Sequence, residues 1–314
     1  MEIKPYSDEV KEAFTLIKEF QSGKKVPIKT RFDHFNKNTL GGIYNGNIIT
    51  IAAISGVGKS YFLQLLEEDV FNKELNPIAD EYILLRCNWE MSPFKLTLRA
   101  LKNHTGQRPS DILFKAPDEA TKAKYNEVYD NERNPRIYSS SIPSTPTAFY
   151  KHVSQFLEEH DDSASIVVTL DHIALVKDGG NKKKSMDDLL EVINRLRKEY
   201  PNVSFLIVSQ LNREIESRTN PMEQAPRKSD LYTSDGIFQL ADSVICLHAP
   251  EKLGLNRYML VNPHVYPHLK EHMINPDAKT TNFKVEQRLF YHYLKLREAD
   301  DHDLASRLFI EMMD

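Results

Sequence analysis

The sequence predicts an open α/β fold: a mostly parallel, twisted sheet with helices on both faces. Three observations carry this. Apolar runs of strand length alternate with amphipathic stretches of helix length along the 314 residues. Several runs are apolar at almost every position, as in Ile48-Ile49-Thr50-Ile51-Ala52-Ala53, which marks strands buried on both faces. That run ends in small residues, Ile54-Ser55-Gly56-Val57-Gly58-Lys59-Ser60, and then opens a helix.

The totals set limits. Hydrophobic residues make up 40% and charged residues 27%, ordinary for a soluble globular chain long enough for one large domain or two small ones. The 41 Lys and Arg against 45 Asp and Glu give a net charge of −4, so a globally basic nucleic-acid binder is excluded and any such contact needs a local patch. Cys87 and Cys246 sit in apolar runs and read as buried thiols in a reducing cytoplasm, not as a disulfide or metal site. No apolar run approaches the ~20 residues of a membrane span, and no signal-peptide core opens the chain. The expected location is cytoplasmic.

In order, Ser7-Asp8-Glu9 reads as a helix start, and Val10, Ala13, Phe14, Ile17 and Phe20 form one apolar stripe. A polar linker, Gln21 to Lys25, ends the segment. The stripe is buried either on its own domain or in a groove of a neighbouring subunit; spacing does not choose. Residues 1–26 are thus expected to form a helix and a linker, and 27–314 one α/β domain. Strands are expected at Ile48–Ala53, Glu81–Asn88, Arg136–Tyr138, Ser165–Asp171, Val203–Gln210, Ser243–Leu247, Leu289–Arg297 and Arg307–Ile310. Helices are expected after the glycine loop, after Ser92 with Pro93 in the first turn, from Thr145 to His160, and from Met186 to Glu199. Lys177 to Lys184 reads as a basic, glycine-containing loop, and Leu211 to Ser229 as a long loop carrying Arg213 and Arg218. Residues 249–285 read as a hairpin excursion.

The glycine loop carries the chemistry. It meets G-x-x-x-x-G-K-[ST] from its second glycine, with Ala53 in the first place. Gly56 and Gly58 let the backbone wrap a phosphate, with Ser55, Val57 and the helix start adding N–H groups. Lys59 would reach the β- and γ-phosphates, and the Ser60 hydroxyl would hold Mg²⁺. Asp171 closes an apolar run downstream, where it can hold the metal shell, and Glu90 follows another strand on the edge where open sheets bind ligands. Lys182, Lys183 and Lys184 are either a solvated charge run or contacts to a phosphate backbone.

Several segments, in order and spacing, resemble the C-terminal ATPase domain of DnaB-type replicative helicases, a branch of the RecA-like ATPases. They are Ile51 through Ser60, Glu90-Met91-Ser92, Leu170-Asp171, Ser209-Gln210-Leu211-Asn212-Arg213, Ser229-Asp230-Leu231 and Gln239-Leu240-Ala241-Asp242. The resemblance implies a RecA-like ATP hydrolase using ATP and Mg²⁺. Glu90 would activate water, Asp171 would serve the metal, and Gln210 would sense the γ-phosphate. Lys295 and Arg297 would enter the site of a neighbouring subunit. It also implies a hexameric ring tied together by the Asp8–Phe20 helix, single-stranded DNA as partner, and a primase or loader. The expected function is a ring helicase motor in DNA replication; the alternative is a RecA-like non-helicase ATPase, such as a recombinase, loader or assembly switch. The chain departs from the family where Tyr232-Thr233 stand in place of Arg-Glu in the DNA loop, where Glu298-Ala299-Asp300 follow the Lys-x-Arg pair, and in the length of segment 249–285. The DNA contacts expected here are Lys182, Lys183, Lys184, Arg213, Arg218, Tyr232 and Thr233.

Overall fold

The computed structural model describes residues 5–161, 163–218, 220, 223–232, 234–261, 269, 273–274, 280–297 and 308–312. Its elements run α1 (Tyr6–Gln21), α2 (Asp33–Asn38), β1 (Ile48–Ala53), α3 (Lys59–Val70), β2 (Tyr82–Asn88), α4 (Pro93–Thr105), α5 (Pro109–Phe114), α6 (Glu119–Glu132) and β3 (Ile137–Ser140). There follow α7 (Pro146–Glu159), β4 (Ser165–Asp171), α8 (Lys182–Glu199), β5 (Val203–Gln210), α9 (Ser234–Leu240) and β6 (Ser243–His248). The chain closes with β7 (Arg257–Val261), β8 (Thr280–Lys284), β9 (Arg288–Leu296) and β10 (Leu308–Met312).

Among the described residues, eight strands form one sheet in the order β10-β9-β6-β1-β5-β4-β2-β3. The first six strands of the chain pair in parallel, and β9 and β10 add an antiparallel edge. β1, β4 and β6 are buried at every position, as continuous apolar runs require when helices cover both faces. The main core takes residues from the sheet and from α3, α7 and α8. Arg86 of β2 is buried between Glu132, 2.6 Å away, and Glu67, 2.9 Å away, so one cation ties α3 and α6 to the sheet.

The expected hairpin in 249–285 is present as β7 and β8, an antiparallel pair with its own small core of Tyr258, Met273, Phe283, Val285 and Phe290. Two local expectations are corrected. The cap of α1 is Pro5, not Ser7, so Ser7 lies inside the first turn. Lys182–Lys184 belong to α8 and not to the preceding loop, because Asn181 accepts the Lys184 N–H and starts the helix there. The expected final strand is present as Leu308–Met312, and Arg307, like Glu298-Ala299-Asp300, lies outside the described residues. Residues 213–217 and 228–230 of the long loop form 3₁₀ turns. Among the described residues, no helix is long and apolar enough to cross a membrane.

Candidate nucleotide-binding and hydrolysis site

β1 and β5 pair so that Ala53 faces Gln210, and β2 and β4 pair so that Asn88 faces Asp171. Strand order β1-β5-β4-β2 therefore lines up the glycine loop, Gln210, Asp171 and Glu90 along one edge, at the C-terminal ends of four parallel strands. Ala53 is still strand, fully buried, so the position that usually holds the motif's first glycine needs no special backbone here. Gly56 at φ 79° and Gly58 at φ 108° do need one, since both lie in the left-handed region. Gly58 is the N-cap of α3, so Lys59 and Ser60 stand in its first turn, where free N–H groups and the helix dipole favour an anion.

Lys59 is folded over its own loop and donates to the carbonyls of Ala53 at 3.0 Å and Ile54 at 2.9 Å. Burial lowers its pKa, against the raising effect of Asp171 and Glu90 nearby. Asp171 is 2% exposed, and neither carboxylate oxygen has a hydrogen-bond partner in good geometry among the described residues. Burial raises its pKa first of all; the adjacent Ser60 hydroxyl works the other way, and Glu90 adds to the rise. A buried carboxylate with open oxygens beside a helix-start serine is a donor set that fits Mg²⁺ with its other ligands drawn from phosphate and water. Among the described residues there is no group of three or more His, Cys, Asp or Glu side chains placed to hold a metal ion.

Glu90 is exposed at the end of a turn. The Trp89 N–H donates to the Asp171 carbonyl at 2.7 Å, carrying the β2–β4 pairing one residue further, and the Met91 N–H donates to Asn88 at 2.9 Å. The turn presents the Glu90 carboxylate beside Asp171 and Lys59, whose pKa values it raises. Gln210 is half-buried between the glycine loop and Asp171, and its carbonyl accepts the Tyr232 N–H at 3.0 Å. Leu211 bridges Leu231, and Asn212 donates to the Asp230 carbonyl at 2.6 Å. The segment after Gln210 is thus laced directly to residues 230–232.

Lys295 and Arg297 lie elsewhere. Lys295 donates to the carbonyls of Phe238 at 2.5 Å and Gln239 at 3.2 Å, and Arg297 donates to Gln239 at 3.0 Å. Both sit by the N-terminal ends of β6 and β1, a full strand length from the glycine loop. Of the basic candidates, Lys183 and Lys184 are exposed, and Lys182 bends back to the Val176 carbonyl at 2.6 Å. Arg213 is exposed. Arg218 is turned inward, paired with Asp230 and donating to the carbonyls of Glu223 and Ala225, so it clasps its own loop. Tyr232 is exposed and shares with Lys183 a groove of about 930 Å³ between α8 and α9; Thr233 lies outside the described residues. The sequence reading missed His172, half-buried next to Asp171, whose pKa burial lowers against the pull of Glu90 and Asp171. Its position directly after the strand-end acid was the available signal.

A parallel sheet with a phosphate loop after β1, and acids at the ends of β2 and β4, defines a RecA-like P-loop ATPase fold. The chain belongs to the DnaB-like helicase C-terminal domain family, whose model matches residues 27–273. Among solved structures it is similar to one ATPase domain with TM-score 0.68 and 15% identity, over 92% of each chain. It is also similar to a DnaB-like replicative helicase described with its interactions with primase, with TM-score 0.64 and 14% identity over 97% of this chain and 66% of that one. At such identities the likeness is one of fold. No curated protein matches the sequence.

Proposed function

We propose that the chain is the ATP-driven motor of a DNA helicase, assembling as a ring and translocating on single-stranded DNA in replication. The observation that supports it most is the division of the candidate machinery. Lys59, Ser60, Glu90, Asp171 and Gln210 share one sheet edge, while Lys295 and Arg297 stand roughly 17 Å away, five residues of strand at ~3.3 Å each. That pair serves a phosphate only on a neighbouring copy, so hydrolysis depends on assembly.

In this reading Lys59 and the glycine-loop amides hold the triphosphate, and Glu90 orients the attacking water. Mg²⁺, held by Ser60 and Asp171, would neutralise charge on the phosphate oxygens. Arg297, with Lys295, stabilises the charge that develops as the γ-phosphoryl leaves. Gln210 passes the state of the γ-phosphate to Tyr232 through the backbone bonds that join the two segments. Lys183, Lys184, Arg213 and Tyr232 contact the strand by phosphate attraction and stacking, with Lys182 close behind.

Assembly rests on α1. None of its residues is buried, and Tyr6, Phe14 and Ile17 are exposed, so most of its apolar face is left uncovered by the described residues of a single copy. Its partner is a second copy of this chain, and the hexamer is the ring expected of the family. A primase or loader belongs to the same reading.

The test measures ATP hydrolysis with and without single-stranded DNA, together with unwinding of a forked duplex. DNA-stimulated turnover and unwinding are expected, and both are lost in Lys59→Ala. Full turnover by Lys59→Ala sinks the site. Turnover without unwinding, with filaments formed on DNA, moves the chain to the recombinase, loader or assembly-switch reading.

A further inference from the structure

β6 runs parallel to β1 and beside it, so the chain leaving β6 emerges on the same edge as the phosphate loop. There it makes the 3₁₀ turn Pro250–Leu253, ended by Gly254 in the left-handed region. The turn is well anchored: Ala249 and Pro250 are buried, and Glu251 accepts the Gln287 N–H at 2.9 Å, which fixes it to the start of β9. From this base the exposed Lys252 side chain crosses to the phosphate loop and donates to the Gly56 carbonyl.

That contact has a consequence for the loop. In a trans peptide the carbonyl and the following N–H point in opposite directions. A cation that holds the Gly56 carbonyl therefore turns the Val57 N–H away from Lys252. It also polarises that peptide, making its N–H a better donor. Gly56, at φ 79°, has no side chain to restrict its backbone, so an outside restraint has most to gain there. The amine is also a cation on the same subunit, beside a loop whose own lysine, Lys59, is folded back on Ala53 and Ile54.

We infer that Lys252 is a positioning residue of the nucleotide site, holding the Gly56–Val57 peptide so that its N–H faces the phosphates of a nucleoside triphosphate. The inference rests on the ATP-binding reading above. It gives the segment after β6 a part in nucleotide affinity, separate from the transfer of the phosphoryl group, in which Lys252 does not share.

The experiment compares the full-length chain with Lys252→Ala, Lys252→Arg and Lys59→Ala. It reads binding of a fluorescent ATP analogue, and KM and kcat for ATP with DNA present. Lys252→Ala is expected to weaken binding and raise KM by about tenfold, the loss of one charge-assisted hydrogen bond at an exposed site. Its kcat should stay within about twofold, since the interaction is made equally in the ground and transition states. Lys252→Arg, which keeps a cationic donor, should recover most of the affinity. A Lys252→Ala protein with wild-type affinity and KM overturns the inference, as does one that loses kcat at unchanged KM. An affinity loss that Lys252→Arg does not recover overturns it too. If the wild-type chain itself binds no ATP analogue, the ATPase reading falls and this inference with it; binding by the wild type and an unaltered Lys252→Ala protein removes only the inference.

Discussion

Arg297 donates to one oxygen of Asp242 at 2.7 Å, and the other oxygen accepts the Ile48 N–H at 2.9 Å and Arg197 at 2.7 Å. Asp242 thus ties a half-exposed arginine to the first residue of β1, at the opposite end of that strand from the phosphate loop. The carboxylate keeps two partners when Arg297 is removed, so the arginine is held in place without being needed for the fold.

The first prediction follows from that arrangement. Arg297→Ala should fold with little loss of stability, because a half-exposed ion pair contributes on the order of 1 kcal/mol or less. It should bind ATP normally and lose at least about 10³-fold in kcat, the lower range for an arginine supplied in trans. Mixed with Lys59→Ala subunits, it should regain part of the activity, since some interfaces then pair an intact phosphate loop with an intact arginine. Hydrolysis by Arg297→Ala near the wild-type rate would remove the residue from the site.

Asp171 makes the second prediction. Burial raises its pKa in the folded chain, so folding binds a proton that the unfolded chain gives up more readily. For a raised pKa the stability is fully present below the unfolded value and is lost as pH rises through the folded one. At neutral pH the nucleotide-free protein therefore bears the cost of a buried charge. Asp171→Asn should stabilise that form by on the order of 1 kcal/mol, read as a higher melting temperature, while hydrolysis is lost. The gain should shrink on acidification toward the ordinary Asp range. Equal melting temperatures across that range would contradict the assignment of cost to this carboxylate.

The base of the hairpin insertion carries a third. His248 and His292 are both buried, with ring centroids 5.9 Å apart; the Tyr258 hydroxyl lies 3.0 Å from His292, and the Nε2 of His248 has no hydrogen-bond partner among the described residues. Burial lowers the pKa of His292 to about 3, and burial, with His292 and Arg218 nearby, pushes His248 well down. Both rings are thus folded in the neutral form. Their contribution is complete above the ordinary histidine range and is lost as pH falls through it, because the unfolded chain then takes up protons that the folded chain refuses. Urea unfolding between pH 7 and pH 5 should show a steep loss, up to about 1.4 kcal/mol per pH unit for each histidine once below its unfolded pKa. His248→Leu should flatten the slope by about one proton. An unchanged slope would show that these rings do not govern acid stability.

How far this was legible in the sequence depends on where the determining interaction lies. β1, β4 and β5 were legible because strands buried on both faces must be apolar throughout. Asp171 and Gln210 end such runs, so strand polarity alone brought them to the edge with the glycine loop. Lys252 was not legible, because its role depends on β6 lying beside β1, a pairing that joins residues almost two hundred positions apart. Arg218 reads from sequence as a loop cation, yet its partner Asp230 lies twelve residues on in the same loop and turns it inward. The start of α8 was misplaced because three lysines in a first turn oppose the helix dipole; only the Asn181 side chain, accepting the Lys184 N–H, shows that the helix begins there.

That opposition makes the final prediction. Lys183 and Lys184 are exposed in the first turn of α8, where a cation is disfavoured by a few tenths of a kcal/mol. Lys183→Ala with Lys184→Ala should therefore leave α8 intact, cap included, and raise stability slightly. If these lysines contact a phosphate backbone, the same double variant should weaken binding of single-stranded DNA and reduce the salt dependence. The slope of log affinity against log salt should fall in magnitude by about 0.7 for each phosphate contact removed. ATP affinity should not change, since neither lysine is among the residues gathered at the nucleotide edge. Anisotropy titrations of a labelled oligonucleotide at several salt concentrations read the slope directly. An unchanged slope with unchanged affinity would mean that these two lysines are a solvated face and that the strand runs elsewhere, past Arg213 and Tyr232.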